Sequence, residues 1–365
     1  MTRDNGHRAS RRAELLVIGP MPPPVHGYSV VTKFIADKLA ALAPIEVINV
    51  APDSLVRNRR YHAQRMRRAA RALWRVLAAR RHSRSLYVAI AGGAGVAYDL
   101  PLVLAARLLG YKIYIHHHSF SYINRRSPWT ALLFAVAGRT ATHICLSAGM
   151  AQRLGLLYPP AQRSVVLSNA ALIPPRPPRP ARSGPIRLGF LGNLIPEKGA
   201  DTAIAVARAL RQDGRDIVLA IAGPALDADT EALLADTQQS LGAAFVYHGA
   251  VYGAEKAAFL DSLDLLLFPT RYANEAQPLV VLEALAAGIP VLATHRGAIA
   301  EDVGEHAAVF ADEDYVANAV RMIGAWCADR RPLDALSAAT SARADAAHRA
   351  AQGALAALLR EMTTA

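Results

Sequence analysis

The chain has 365 residues, 53% of them hydrophobic, and a formal net charge of +12. A single core stops growing at roughly 250–300 residues, so two globular α/β domains are expected and a disordered chain is excluded. The basic balance calls for an anionic partner, while two cysteines, Cys145 and Cys327 in separate halves, exclude a disulfide framework and a cysteine-built metal site.

In chain order, Met1 to Arg12 is a flexible basic tail, and Glu14 to Ile18 a buried parallel strand. The apolar run behind Arg11-Arg12 is too short for a secretion signal and ends in prolines. No stretch of about 18 apolar residues follows anywhere, so a cytoplasmic protein is expected, at most peripheral at the inner face of the cell membrane. The stiff loop Gly19 to Gly27 leads into a helix from Tyr28 to Ala41. Gly27 then either lets backbone approach a ligand or simply stiffens the connection. Ile45 to Val50 is the second strand.

Arg57 to Arg84 is rich in arginine and carries no acid. On a helical wheel Met66, Ala70, Leu73 and Leu77 form one stripe, with Arg67, Arg68, Arg71 and Arg75 opposite and Trp74 at the border. The stripe is expected on the sheet and the arginines outward, either merely solvated or facing an anionic membrane surface. Ser85 to Ala91 is a strand ending in Gly92-Gly93-Ala94-Gly95. Tyr98 stands where a dinucleotide fingerprint needs a small residue, so these glycines make only a tight turn.

Tyr111 to Ile115 is a strand with His116, His117 and His118 at its carboxyl end, where open α/β sheets bind ligands. Consecutive side chains alternate sides, so the three cannot converge on one metal. Strands at Thr142 to Leu146 and Ser164 to Leu167 complete the first domain, 13–172. The proline-rich run 173–184 is a semi-rigid spacer between domains.

The strand–helix rhythm restarts at Ile186 to Leu191, followed by Gly192-Asn193-Leu-Ile-Pro-Glu-Lys198-Gly199 and a helix from Asp201 to Asp213. Asp216 to Ala222 ends at Gly223-Pro224, and Leu265 to Phe268 ends at Pro269-Thr270-Arg271. The stretch from Ala273 to Leu292 holds a helix opened by Pro278 at its first position and stopped by Gly288 and Pro290. The amides of Leu279, Val280 and Val281 then lack intrahelical partners and can bind an anion. Glu275 borders that mouth, and Glu283 leans toward it because helical side chains point to the N-terminus. Phosphate beside hydroxyls satisfies both groups, and a nucleotide-sugar offers the two together. Asp227-x-Asp229 and Asp312-x-Asp314 follow no strand and are expected on solvated helix faces; no metal or other cofactor is expected. The second domain spans 185–332, and 333–365 is an Ala-rich helical segment.

Glu275-x7-Glu283 followed by Ala-Leu-Ala-Ala-Gly-Ile-Pro-Val resembles the signature of retaining family 4 glycosyltransferases. The resemblance spans nearly the whole chain and is strongest from Ile186 to Gly304. It implies a GT-B fold, two Rossmann-like doubly wound domains facing a cleft, and a metal-independent retaining transfer from a nucleotide-sugar donor to a glycan or lipid-linked acceptor, as in cell-surface polysaccharide assembly. By the same resemblance Glu275 contacts the donor sugar and Glu283 the ribose, and Gly27 lies in the first loop. His117, with His118 as competitor, takes the place of the active-site histidine, and Gly223 lies in a turn near the nucleotide. Lys198 matches the lysine of a Gly-Arg-Leu-x-x-x-Lys-Gly diphosphate clamp, but Asn193 stands where that motif has arginine, and Arg271 is a candidate substitute. Gln277-Pro278 replaces the usual Phe-Gly, which removes one donor amide. A GT-B nucleotide-sugar epimerase would leave the paired glutamates unexplained. A nonenzymatic binder of nucleic acid or another anionic polymer would lack interleaved aromatics for base stacking, so no nucleic-acid partner is expected.

Overall fold

A computed structural model describes residues 14–53, 58–90, 92–177, 179–180, 182–304 and 308–364. The basic tail and Arg57 lie outside these residues. The chain divides into two compact units: Met1–Ser168 with Gln352–Ala365, and Asn169–Ala351.

Unit 1 alternates strand and helix: β1 (Leu15–Gly19), α1 (Gly27–Ala40), β2 (Ile45–Asn49), α2 (Arg59–Ala79), β3 (Ser85–Ile90), α3 (Val96–Leu108), β4 (Lys112–His117), α4 (Ser121–Asn124), α5 (Pro128–Ala137), β5 (Thr142–Cys145), α6 (Ala148–Leu157) and β6 (Ser164–Val166). The strands form one parallel sheet in the order β2-β1-β3-β4-β5-β6. Polar residues set the helix starts. Asn58, Ser127 and Ser147 each accept from a backbone N–H three residues on, and Pro128 opens α5 where its missing N–H is harmless. Right-handed crossovers place α1 on one face and α2, α3, α5 and α6 on the other.

Unit 2 continues with β7 (Ile186–Leu191), α7 (Ala200–Gln212), β8 (Ile217–Ala222), α8 (Ala228–Leu241), β9 (Phe245–Tyr247), α9 (Gly253–Ser262), β10 (Leu265–Phe268), α10 (Leu279–Ala286), β11 (Val291–Thr294), α11 (Ile299–Val303), β12 (Val309–Phe310), α12 (Tyr315–Ala328) and α13 (Arg331–Thr363). Its parallel sheet runs β12-β11-β10-β7-β8-β9. Both faces are covered, which is why its strands are nearly all apolar. Along β10, Leu265 and Leu267 join the core under α7 and α12, while Leu266 and Phe268 join the one under α9 and α10.

Three expectations are corrected. The boundary falls at Ser168/Asn169, not in the proline-rich run, and α13 is one continuous helix whose residues from Gln352 count with unit 1. Segment 173–184 is not a free spacer. Arg176 pairs with Asp261 at 2.5 Å, Arg179 donates to the Asp261 carbonyl at 3.0 Å, and Arg182 donates to the Ser262 carbonyl at 2.6 Å. These cations sit at the carbonyl end of α9, where the helix dipole favours them. Finally, α2 packs on a different face from the one the wheel assigns. It buries Ala72, Val76 and Ala79, while Met66 and Trp74 are each 59% exposed and Leu77 53%. Small residues let the helix approach the sheet closely. Arg68 and Arg75 turn to that flank because Asp53 and Glu46 await them there. Arg67 and Arg71 are exposed as expected.

Candidate functional site

In unit 2 the chain runs from β7 outward through β8 and β9, then returns to lay β10 on the other side of β7. This reversal makes the carboxyl ends of β7 and β10 a topological switch point, where neighbouring loops diverge to opposite faces and leave a crevice. The loop after β7 makes a 3₁₀ turn at Pro196–Lys198 and passes Gly199 at φ +83° into α7. A Cβ at Gly199 would lie 2.2 Å from the Pro269 carbonyl oxygen, so only glycine lets the two loops meet. Their closeness brings Lys198 Nζ to 2.5 Å from Glu275 Oε2. Glu275 is buried and also accepts from Thr270 Oγ1 at 3.4 Å. The rings of Tyr272 and Phe268 lie 5.1 and 5.9 Å from the Lys198 ammonium.

Pro278 caps α10 from outside the helix and is not its first residue. Its carbonyl accepts from Val281 N–H at 3.1 Å, so Val281 is not available to an anion as expected from the sequence. Leu279 and Val280 supply the first two helical amides, which have no intrahelical acceptor. A turn further on, Glu283 is held by Lys256 of α9 at 2.5 Å. Lys256 was missed from the sequence; 27 residues separate it from its partner and nothing local marks it.

Gly223 ends β8 with φ +144°, and a Cβ there would lie 1.8 Å from the Gly192 carbonyl oxygen. Its own carbonyl accepts from Tyr247 Oη at 2.9 Å. Asn193 is exposed at the mouth of the neighbouring loop. Arg271 does not face the crevice as a free cation: it binds Asp201 at 3.0 Å, Thr202 Oγ1 at 2.8 Å and the Pro196 carbonyl. It staples the start of α7, so its expected role as substitute clamp is corrected.

Gln277 anchors the loop from behind. Its side-chain oxygen accepts from Asn169 N–H at 2.7 Å, its carbonyl accepts from Asn169 Nδ2 at 3.1 Å, and its Nε2 donates to Asp302 Oδ1 at 2.7 Å. Burial pushes the Asp302 carboxyl up to about 7. Asp227 caps α8 by accepting from Thr230 N–H, and Asp312 pairs with Arg296. One aspartate of each Asp-x-Asp pair is therefore occupied structurally.

In unit 1 the reversal lies between β1 and β3. His26 caps α1, with Gly27 as its first residue and open space where a Cβ would stand. Strand β4 runs through His117, two residues beyond the expected end, so pleat alternation decides the histidines. His117 points into the core, with Nδ1 2.9 Å from Tyr122 Oη and Nε2 3.0 Å from His143 Nδ1. Burial, then the neighbouring His143, holds it well below the usual imidazole range. It is a structural residue, which corrects the preference for His117 over His118. His118 is half-buried at the strand end, stacked on Tyr28 with ring centroids 4.6 Å apart. Burial lowers it to about 3, so it is a neutral hydrogen-bonding group.

Residues 185–325 match the family model described as glycosyl transferases group 1. The 2-deoxystreptamine glucosyltransferase of Streptomyces kanamyceticus is 31% identical over 172 residues, 46% of this chain and 43% of that one. This chain thus spans less than half the length of the curated relatives it matches. Among solved structures, sucrose-phosphate synthase of Thermosynechococcus elongatus aligns over 96% of this chain and 99% of its own, at TM-score 0.69 and 15% identity. HepE of Anabaena, solved in complex with UDP and glucose, aligns over 95% and 99%, at TM-score 0.67 and 15% identity. The fold is GT-B, and residues 185–325 of unit 2 are similar to the group 1 glycosyl transferase model.

Proposed function

From that similarity we propose that the chain is a retaining, metal-independent glycosyltransferase moving a sugar from a nucleotide-sugar to a glycan or lipid-linked acceptor in cell-surface polysaccharide assembly. The observation that carries the reading is the Lys198–Glu275 pair at the switch point of unit 2, beside the open amides of α10. A diphosphate takes those amides and draws Lys198 away from Glu275. The carboxylate released is then free to accept from hydroxyls of the donor sugar, while Glu283 accepts from the ribose. Charge develops on the diphosphate as the glycosidic bond breaks, so the helix amides and Lys198 stabilise the departing group. His118, neutral and half-buried, is the group unit 1 offers to a sugar hydroxyl. The chain would work peripherally at an anionic membrane, a reading supported by its +12 charge.

Calorimetry with UDP, GDP and ADP, then transfer assays with the corresponding sugars, tests the proposal. HepE was solved with UDP and glucose, which makes UDP-sugars the first choice. Lys198→Ala should weaken nucleoside diphosphate binding by about 10- to 150-fold, the worth of one charge-assisted hydrogen bond. Activity should survive EDTA; complete loss restored by manganese would overturn the metal-independent route.

A further inference from the structure

One surface of unit 1 is left unused by this chemistry. Helix α3 packs between α2 and α5, so the three form a layer with one side on the sheet and one side outward. The inner side is built as expected, from Val76, Leu102, Val103 and Phe134, all fully buried or nearly so. The outer side carries Met66, Trp74 and Leu77 on α2, Leu104 and Leu108 on α3, and Trp129 on α5, at 43% to 78% exposure. Scattered exposed apolar residues need no explanation, but two tryptophans and four long aliphatic side chains on adjoining helices do.

Apart from Asp53 and Glu46, which pair with Arg68 and Arg75 on the other flank of α2, charge on this layer has one sign. From Ser54 to Ser168 the sequence holds eighteen lysines and arginines and one acid, Asp99, which is buried. Arg67 and Arg71 are exposed between Met66 and Trp74, Arg107 adjoins Leu108, and Arg125 and Arg126 precede Trp129. A second copy of the chain would bring like charges together, which disfavours self-association. Nucleic acid would satisfy the arginines and leave the leucines and methionine in water. An anionic lipid surface satisfies both: headgroup phosphates for the guanidinium groups, the acyl boundary for the aliphatic chains, and the zone between for the indole rings. No helix among the described residues is long and apolar enough to cross a membrane, so contact would be at the interface.

We propose that the outer face of α2, α3 and α5 docks on an anionic phospholipid bilayer, with Trp74 and Trp129 seated at the headgroup boundary. This deepens the peripheral-membrane reading and does not depend on sugar transfer.

The test is sedimentation of the whole chain with phosphatidylglycerol or phosphatidylcholine vesicles, together with tryptophan emission. Trp326, the third tryptophan, is only 8% exposed, so a blue shift reports on Trp74 and Trp129. Binding should need phosphatidylglycerol, weaken with salt, and shift the emission to the blue. The double variant Trp74→Ser/Trp129→Ser should abolish the shift and weaken binding about tenfold, and Arg67→Gln/Arg71→Gln should weaken it about tenfold and flatten the salt dependence. All four positions are exposed, and thermal melts should confirm that both variants fold. Calorimetry with nucleoside diphosphate on the same preparations should be unchanged by either variant, so failure to bind lipid and failure to bind donor are separate results. Equal binding to neutral vesicles, no binding to either, or phosphatidylglycerol binding that ignores the tryptophan changes would each overturn the proposal. Light scattering that shows self-association abolished by the tryptophan variant would overturn it in favour of a second copy.

Discussion

The two units share a topology and differ in how they treat charge at their strand ends. At the switch point of unit 2 stand two half-buried ion pairs, Lys198–Glu275 and Lys256–Glu283, within reach of a helix N-terminus. Unit 1 places histidines and tyrosines around the carboxyl end of β4 instead, and burial keeps His116, His117 and His118 below the ordinary imidazole range. The same doubly wound scaffold therefore holds paired charges at the strand ends of one unit and neutral hydrogen-bonding groups at those of the other. The ion pairs let unit 2 keep its charges half-buried without a ligand. A bare buried carboxylate would be far costlier.

Substitutions in unit 2 should give the largest effects. Glu275→Gln should lower turnover on the order of a hundredfold, the scale of a lost transition-state contact. Nucleoside diphosphate should still bind, and at least as tightly, because Lys198 no longer has a carboxylate to leave. Glu283→Ala should instead weaken nucleotide binding itself. If calorimetry returns the opposite order, the roles of the two glutamates are exchanged and the comparison fails on its charged side.

The histidines sharpen the neutral side. His117→Ala would open a cavity and strip Tyr122 and His143 of a buried partner, costing about 2–4 kcal/mol of stability. His118→Ala should leave the melting temperature nearly unchanged and lower turnover. A stable His117→Ala protein with lost activity would restore His117 to the site.

A pH titration distinguishes the units next. His143 is lowered to about 4 and His118 to about 3 by burial. Their folded values lie below the ordinary 6.5, so the unfolded chain binds protons first. The stability contributed by the neutral forms is present above about 6.5 and is lost as pH falls toward about 4. Hydrogen exchange followed peptide by peptide should show β4 and β5 losing protection in that window before β7 and β10. Uniform loss across both sheets would mean that the histidine cluster is not the weak point.

Much of this was legible in the sequence because the signals were local. Strands β10 and β11 fall on apolar runs bounded by proline or glycine, Lys198 and Glu275 follow strands β7 and β10, and Glu283 lies inside α10. What escaped was decided by partners distant in the chain. A wheel finds the stripes of α2, but Glu46 and Asp53 determine which flank its arginines take. The parity of His117 and His118 depended on where β4 stops. Arg271 looked available until Asp201, seventy residues earlier, claimed it. Nor does composition reveal that the proline-rich run is strapped to α9 by its own arginines.

The last effect is at Asp302, and it should carry the opposite sign to the histidines. Its Oδ1 accepts from Gln277 Nε2, and its Oδ2 is buried without a hydrogen-bond partner. Burial first, and the neighbouring Glu301 charge, raise it from an ordinary 3.8 to about 7, against the hydrogen bond from Gln277 and the charge of Arg343. The folded value lies above the unfolded one, so the fold favours the protonated acid. That contribution is complete below about 4 and is lost as pH rises to about 7. Asp302→Asn keeps an acceptor for Gln277 and removes the titration. Thermal melts of the two proteins should nearly coincide at pH 4, and the variant should become the more stable one as pH rises to 7. Because Gln277 also holds Asn169, exchange at 169–171 and 277–281 should follow the same curve in the native chain and flatten in the variant. An unchanged pH profile in Asp302→Asn would remove Asp302 as the source and leave the histidines of unit 1 as the pH-sensitive groups of the comparison.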